Sequence, residues 1–134
     1  MSHTSLLALS DALADAVGVI APSVVQVHGR RRPASGVVSD TDLVITTARA
    51  LGREDGVRVT TGDGETHAAA VAGWDAATGL VLLHVNGLTA PPAPRAAADP
   101  RVGQLALAVA RSWSNAVTAS SGIVSVIGGP LPTG

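Results

Sequence analysis

Cysteine is missing from this sequence, and so are lysine, phenylalanine and tyrosine. Without cysteine there is no disulfide and no thiolate chemistry, and the redox compartment stays open. Without lysine there is no Gly-x-x-x-x-Gly-Lys loop to cradle a phosphate. Trp74 and Trp113 are the only aromatic side chains apart from histidine. A core must therefore be assembled from small and branched residues, which suits sheets rather than broad aromatic packing. Basic excess is lacking too: nine arginines face eight aspartates and two glutamates, a net charge of -1. Nucleic-acid or membrane-surface binding needs such an excess, so neither partner is expected. No run reaches the roughly 18 consecutive apolar residues of a membrane span. No basic region precedes the first apolar run, and Asp11 and Asp15 interrupt it, which argues against a secretory signal. A soluble, cytoplasmic chain is the expectation.

What is present is small, apolar and periodic. In Ser5–Val19, and on to Ile20, residues Leu6, Leu9, Leu13, Val17 and Ile20 recur at steps of three or four, which predicts a helix packed on the rest of the fold. Thr4 or Ser5 caps its start, and Gly18 and Pro22 mark its end. The period then changes to that of strands: Val24–His28, a strand opening at Pro33, Leu43–Thr47, Val57–Thr61, a return from Glu65 to Ala72, Leu80–Val85, Leu105–Ala110 and Val117–Ile127. Leu80–Val85 is apolar almost throughout, as expected of a strand covered on both faces. Arg30-Arg31-Arg32 reads as a solvated hairpin tip rather than an anion site. Asp63-Gly64 is a tight turn, too poor in carboxylates for calcium. Gly73 to Gly79 reads as a loop, and the prolines at 91, 92, 94 and 100 mark a crossover. The four histidines, at 3, 28, 67 and 84, have no ligand spacing, so no metal site is expected, and nothing implies a cofactor.

One ordered series carries a resemblance. Pro22-Ser23-Val24-Val25-Gln26-Val27 is followed by Ala34-Ser35-Gly36-Val37-Val38, then Val44-Ile45-Thr46-Thr47-Ala48-Arg49-Ala50-Leu51. Later come Gly73-Trp74-Asp75-Ala76-Ala77-Thr78-Gly79-Leu80-Val81-Leu82-Leu83 and Gly122-Ile123-Val124-Ser125. This order resembles the trypsin-like serine proteases of the Do-like (HtrA) group, without a PDZ domain, over residues 20–128. The resemblance implies an all-β fold: a first trypsin-like β-barrel, the opening hairpin of a second, and a short N-terminal α-helix. It divides the chain into a helix (1–21), a first barrel (22–90), a linker (91–100) and an incomplete second barrel with a tail (101–134).

The same resemblance implies a lost chemistry. The family's catalytic His falls at Arg49 and its catalytic Asp at Gly79. Its Gly-x-Ser-Gly-Gly segment would follow Gly134, where this sequence stops. A serine hydroxyl needs a neutral imidazole to take its proton, and a guanidinium stays charged. Ser35, Ser114 or Ser121 with His67 or His84 would be a substitute set, but no motif supports one. The expectation is a pseudo-protease acting as a protein-binding or self-assembly module. The alternative is one subunit of a split serine protease whose Ser-bearing half is a separate chain. An open two-stranded hairpin needs cover, so a homo-oligomer or a second polypeptide completing the barrel is expected. Trp74 is expected as a loop anchor packed on the barrel, with Arg49 and Trp74 lining any remnant of a peptide cleft as the other reading.

Overall fold

The computed structural model describes residues 3–29, 32–52 and 55–129. Helix α1 (His3–Ile20) runs into a 3-10 turn at Ala21–Ser23. Nine strands follow: β1 (Val24–His28), β2 (Ala34–Asp40), β3 (Leu43–Thr47), β4 (Arg58–Thr60), β5 (Thr66–Ala68), β6 (Ala70–Asp75), β7 (Leu80–His84), β8 (Leu105–Arg111) and β9 (Val117–Ile123). A single helical turn, α2 (Ala48–Leu51), separates β3 from β4.

Seven strands form one antiparallel sheet in the order β5-β4-β1-β2-β3-β7-β6. Its two edge strands are successive pieces of one chain run, divided only at Ala69. The sheet must therefore curl until its ends meet that run, which buries one face. The cluster inside holds eight valines and two leucines, among them Val25, Val27, Val44, Val59 and Leu83. Branched side chains fit a pleated inner wall, and small ones fit tight curvature, so the missing aromatic rings cost this core nothing. From Val85 the chain crosses toward β8, held by Val85 N–H donating to Asp42 O at 2.8 Å, Leu88 N–H to Asp42 Oδ1 at 3.0 Å and Ala93 N–H to Val38 O at 2.8 Å.

β8 and β9 make a separate two-stranded sheet. Its attachment to the large sheet includes a dense set of polar contacts. The Arg111 guanidinium donates to Val24 O at 2.9 Å, Ala21 O at 2.8 Å and Asn115 O at 3.3 Å. The Arg111 backbone N–H donates to Ser35 Oγ at 2.8 Å, and that hydroxyl donates back to Arg111 O. The buried Gln26 amide donates to Ser112 O and Trp113 O, at 2.8 and 2.9 Å. Asn115 Nδ2 donates to Thr61 O at 3.0 Å.

Several expectations need correction. α1 does not pack along its length: no residue of it is buried, and only Leu13, Val17 and Ile20 near its end are half-buried. By length and composition the run His3–Ser23, with mean hydropathy 1.5, is long and apolar enough to cross a membrane, a test that core helices and signal sequences also pass. The expected loop Gly73–Gly79 is strand as far as Asp75, because Gly73, Trp74 and Asp75 pair with Leu82, Val81 and Leu80. β7 is not covered on both faces: Val81 and Leu83 are buried, while Leu80 is exposed on the other side. β9 ends at Ile123, four residues early, since Val124 turns its N–H to Gln104 O. Arg30, Arg31 and residues 130–134 lie outside the described residues.

Two predictions follow from these contacts. Arg111→Lys keeps the charge but loses the planar fork, so it is expected to destabilise by roughly 2–3 kcal/mol. Hydrogen exchange should show β8 and β9 losing protection before β1; uniform loss across all strands would refute the clasp. The second concerns His28, whose Nε2 lies 2.9 Å from Thr60 Oγ1. Burial, helped by the Arg58 guanidinium, holds its imidazole below the ordinary 6.5. The unfolded chain then takes up the proton first. This contribution to stability is complete above about pH 6.5 and is lost as pH falls through the folded-state value. Thermal midpoints should drop on that acid side, and His28→Gln should flatten the drop; an unchanged slope would exclude His28 as its source.

Candidate functional site

β3 leads into α2 through Thr47, an extended residue whose hydroxyl accepts the Ala50 N–H at 3.1 Å and so caps the helical turn. The turn ends at Gly52 in a left-handed conformation, φ +63°. This short, doubly terminated helix carries Arg49 outward, exposed to solvent. Among the described residues Arg49 makes no ion pair. The segment that presents Arg49 is thus a capped helical turn.

On the neighbouring strand pair, β6 passes to β7 through Asp75-Ala76-Ala77-Thr78-Gly79. The Asp75 carboxylate is engaged by its own turn, accepting from Ala77 N–H at 3.0 Å and Thr78 Oγ1 at 3.1 Å. Gly79 N–H donates to Asp75 O at 2.8 Å, and Gly79 adopts φ +74°. A Cβ built there would meet nothing within 4 Å, so the demand for glycine is one of backbone conformation, not space. The two segments touch: Ala48 N–H donates to Gly79 O at 2.8 Å, and Thr47 stands opposite Leu80 in the β3–β7 register. Arg49 and Gly79, 30 positions apart in sequence, are thus brought side by side.

Thr47 and Leu80 also sit at one end of an open groove of about 560 Å³ between the curled sheet, α1 and the hairpin. Ile20, Val37, Ile45, Leu107 and Val109 make its walls apolar, with Ser35 and Thr46 the polar groups within it. Those two are fixed, since Thr46 Oγ1 donates to Ser35 O at 2.9 Å and Ser35 Oγ is held by Arg111.

The substitute serine–histidine sets do not assemble. Ser35 is tied to the Arg111 backbone, and Ser114 Oγ lies 3.0 Å from Ser112 Oγ. Ser121 is exposed on β9. His84 is exposed on β7, while His67 lies on β5 with Nε2 3.9 Å from Glu65 Oε2. Trp74 is neither loop anchor nor packed: it stands on β6, 69% exposed. Among the described residues no three metal-ligating side chains gather.

Comparison with known proteins fits this geometry. The family model for the trypsin-like peptidase domain matches residues 34–132. The chain belongs to the trypsin-like peptidase family. Serine endoprotease DegS of Escherichia coli K12 is 31% identical over 89% of this chain. This trypsin-like chain spans about 38% of that relative's length. The crystal structure of the serine endoprotease from Yersinia pestis superposes with a TM-score of 0.77 at 26% identity, covering 86% of this chain and 44% of that one. The Rv3671c protease of M. tuberculosis H37Rv, in its inactive form, superposes at 0.73 with 25% identity over 87% and 59%. The resemblance to the Do-like (HtrA) group read from the sequence holds.

Sequence reasoning missed Arg111 and Gln26, the residues that join the groove's two walls. The one available signal was Gln26 as a lone amide inside Val-Val-Gln-Val, where a buried polar group demands partners.

The backbone reading of Gly79 is testable. Gly79→Ala should cost about 1–2 kcal/mol in urea denaturation, since an alanine at this φ pays the left-handed penalty. Gly73→Ala, with equally open space and no positive φ, should cost little. Equal costs at both positions would remove the conformational argument.

Proposed function

We propose that this chain is a catalytically inactive trypsin-like homologue that serves as a protein-binding or assembly module. The observation that carries the reading is the Ala48–Gly79 contact. It joins the two turns that carry Arg49 and Gly79, the positions where, by the family pattern, an imidazole and its carboxylate would stand. Arg49 is charged at every physiological pH and accepts no proton, so it is no general base. Gly79 has no side chain to orient an imidazole. The nearest carboxylate along the chain, Asp75, is engaged in its own turn. The apolar groove that Thr47 and Leu80 help to line supports a role in which surface is offered to another polypeptide.

The split-protease reading shares that surface but requires chemistry from residues that Arg49 and Gly79 do not supply. A fluorophosphonate probe for activated serines separates the two. The chain is expected to stay unlabelled, alone or with any co-purifying polypeptide, and Arg49→His combined with Gly79→Asp should not change that. Clear labelling of the unmutated chain or its complex would overturn the inactive reading.

A further inference from the structure

The chain holds two asparagines, Asn86 and Asn115, and the fold treats them in opposite ways. Asn115 precedes Ala116, and its amide donates to Thr61 O at 3.0 Å. The next backbone N–H, that of Ala116, donates to Ser112 Oγ at 3.1 Å. Asn86 precedes Gly87, and both are exposed. Among the described residues neither the Asn86 side-chain amide nor the Gly87 N–H has a hydrogen-bond partner.

Asn86 and Gly87 are the middle of the turn Val85–Leu88. Gly87 sits at φ +73°, the left-handed conformation that the third place of a type II turn requires. One residue holds this turn from both sides. Val85 N–H donates to Asp42 O at 2.8 Å, and Leu88 N–H donates to Asp42 Oδ1 at 3.0 Å. Leu88 and Ala90 pack against the core of the curled sheet. The next hold along the crossover is Ala93 N–H on Val38 O at 2.8 Å.

We propose that Asn86 is a site of spontaneous deamidation, and that its conversion to isoaspartate unlatches the start of the crossover from the sheet. Asparagine is among the chemically labile residues, and its reaction depends on the residue that follows. The Gly87 nitrogen attacks Asn86 Cγ and gives up its proton to base. The side-chain amide nitrogen leaves as ammonia, and a succinimide ring closes. Water then opens the ring at either carbonyl. Opening at Cγ gives aspartate; opening at the backbone carbonyl gives isoaspartate, whose main chain runs through Cβ and Cγ. Glycine has no Cβ to crowd the attacking nitrogen, and here that nitrogen and the amide it attacks are both unengaged. Isoaspartate adds a methylene to the main chain between Val85 and Leu88. The added length spoils the fit by which Asp42 accepts from both, and the new carboxylate enters the turn that already holds the Asp42 carboxylate. The loss of ammonia makes the change one-way. Every group in this argument lies on the curled sheet and its crossover, and the proposal stands apart from the inactive reading.

Incubation of the 134-residue chain at mildly alkaline pH tests the site, read by peptide mapping and by a methyltransferase specific for isoaspartate. Folded Asn86 should convert within about tenfold of its rate in the urea-unfolded chain, since only a local opening is needed. Asn115 should stay intact over the same period. Hydrogen exchange of the converted fraction should show Leu88 N–H losing about tenfold or more of its protection while Ala93 N–H keeps its own. Asn86→Gln, incubated alongside, should gain no isoaspartate and keep the Leu88 protection. A folded chain whose Asn86 survives after the unfolded chain has converted, or whose Asn115 converts as fast, overturns the site. Converted chain with Leu88 still protected, or an Asn86→Gln chain that loses that protection on incubation, overturns the unlatching. None of these results touches the inactive reading, which falls only to labelling by the serine probe.

Discussion

One guanidinium holds three parts of this molecule together. Arg111 closes β8, and its side chain reaches the carbonyls of Ala21 and Val24, where α1 gives way through a 3-10 turn to β1. Ala21 O also accepts Val24 N–H within the 3-10 turn, so the guanidinium adds a charge-assisted donor to it while a second fork nitrogen meets Val24 O at the start of β1. The same residue's backbone exchanges hydrogen bonds with Ser35 on β2. Space for the side chain comes from Gly62, where a Cβ would stand 2.7 Å from the Arg111 guanidinium. Helix end, curled sheet and hairpin are thereby placed relative to one another, and the groove among them follows.

The candidate site depends on a second, smaller set of constraints at the far end of that groove. The Thr47 cap and the left-handed Gly52 confine α2 to one turn. The Asp75 turn confines the β6–β7 connection. Because β3 and β7 are neighbours in the sheet, these two confined turns abut, joined by Ala48 N–H donating to Gly79 O.

The molecule's surface records the balance between a finished and an unfinished core. Inside the curled sheet, valines and leucines are fully excluded from water. Outside it, α1 and the β8-β9 hairpin leave Leu6, Leu7, Val19, Leu105 and Ile123 exposed. Polar clasps fix the hairpin's base, so its apolar face is held in place without being covered. A surface that is ordered and apolar at once is suited to association, since little conformational entropy remains to be lost on binding.

Much of this was legible in the sequence, because strands and capped turns are written locally. Alternating branched residues marked β1, β3 and β7, and the order of motifs carried the family likeness with it. Arg49 and Gly79 were picked out by the places they take in that likeness. The reading failed where the outcome depended on distant neighbours. Ser5–Val19 has the period of a packing helix, yet periodicity does not supply a surface to pack on. Gly73 to Asp75 look like a loop until β7 lies beside them and takes up their backbone groups. Trp74 looks like an anchor until its strand turns it outward. Arg111 carries no local signature, and the lone amide Gln26 signals only that it needs partners, because the groups that meet them across the fold lie some 76 to 90 positions away. The sequence by itself determined where most of the strands lie and which family the chain resembles. The tertiary structure alone decided which apolar faces are covered, since burial belongs to pairs of surfaces and no single stretch of chain contains both.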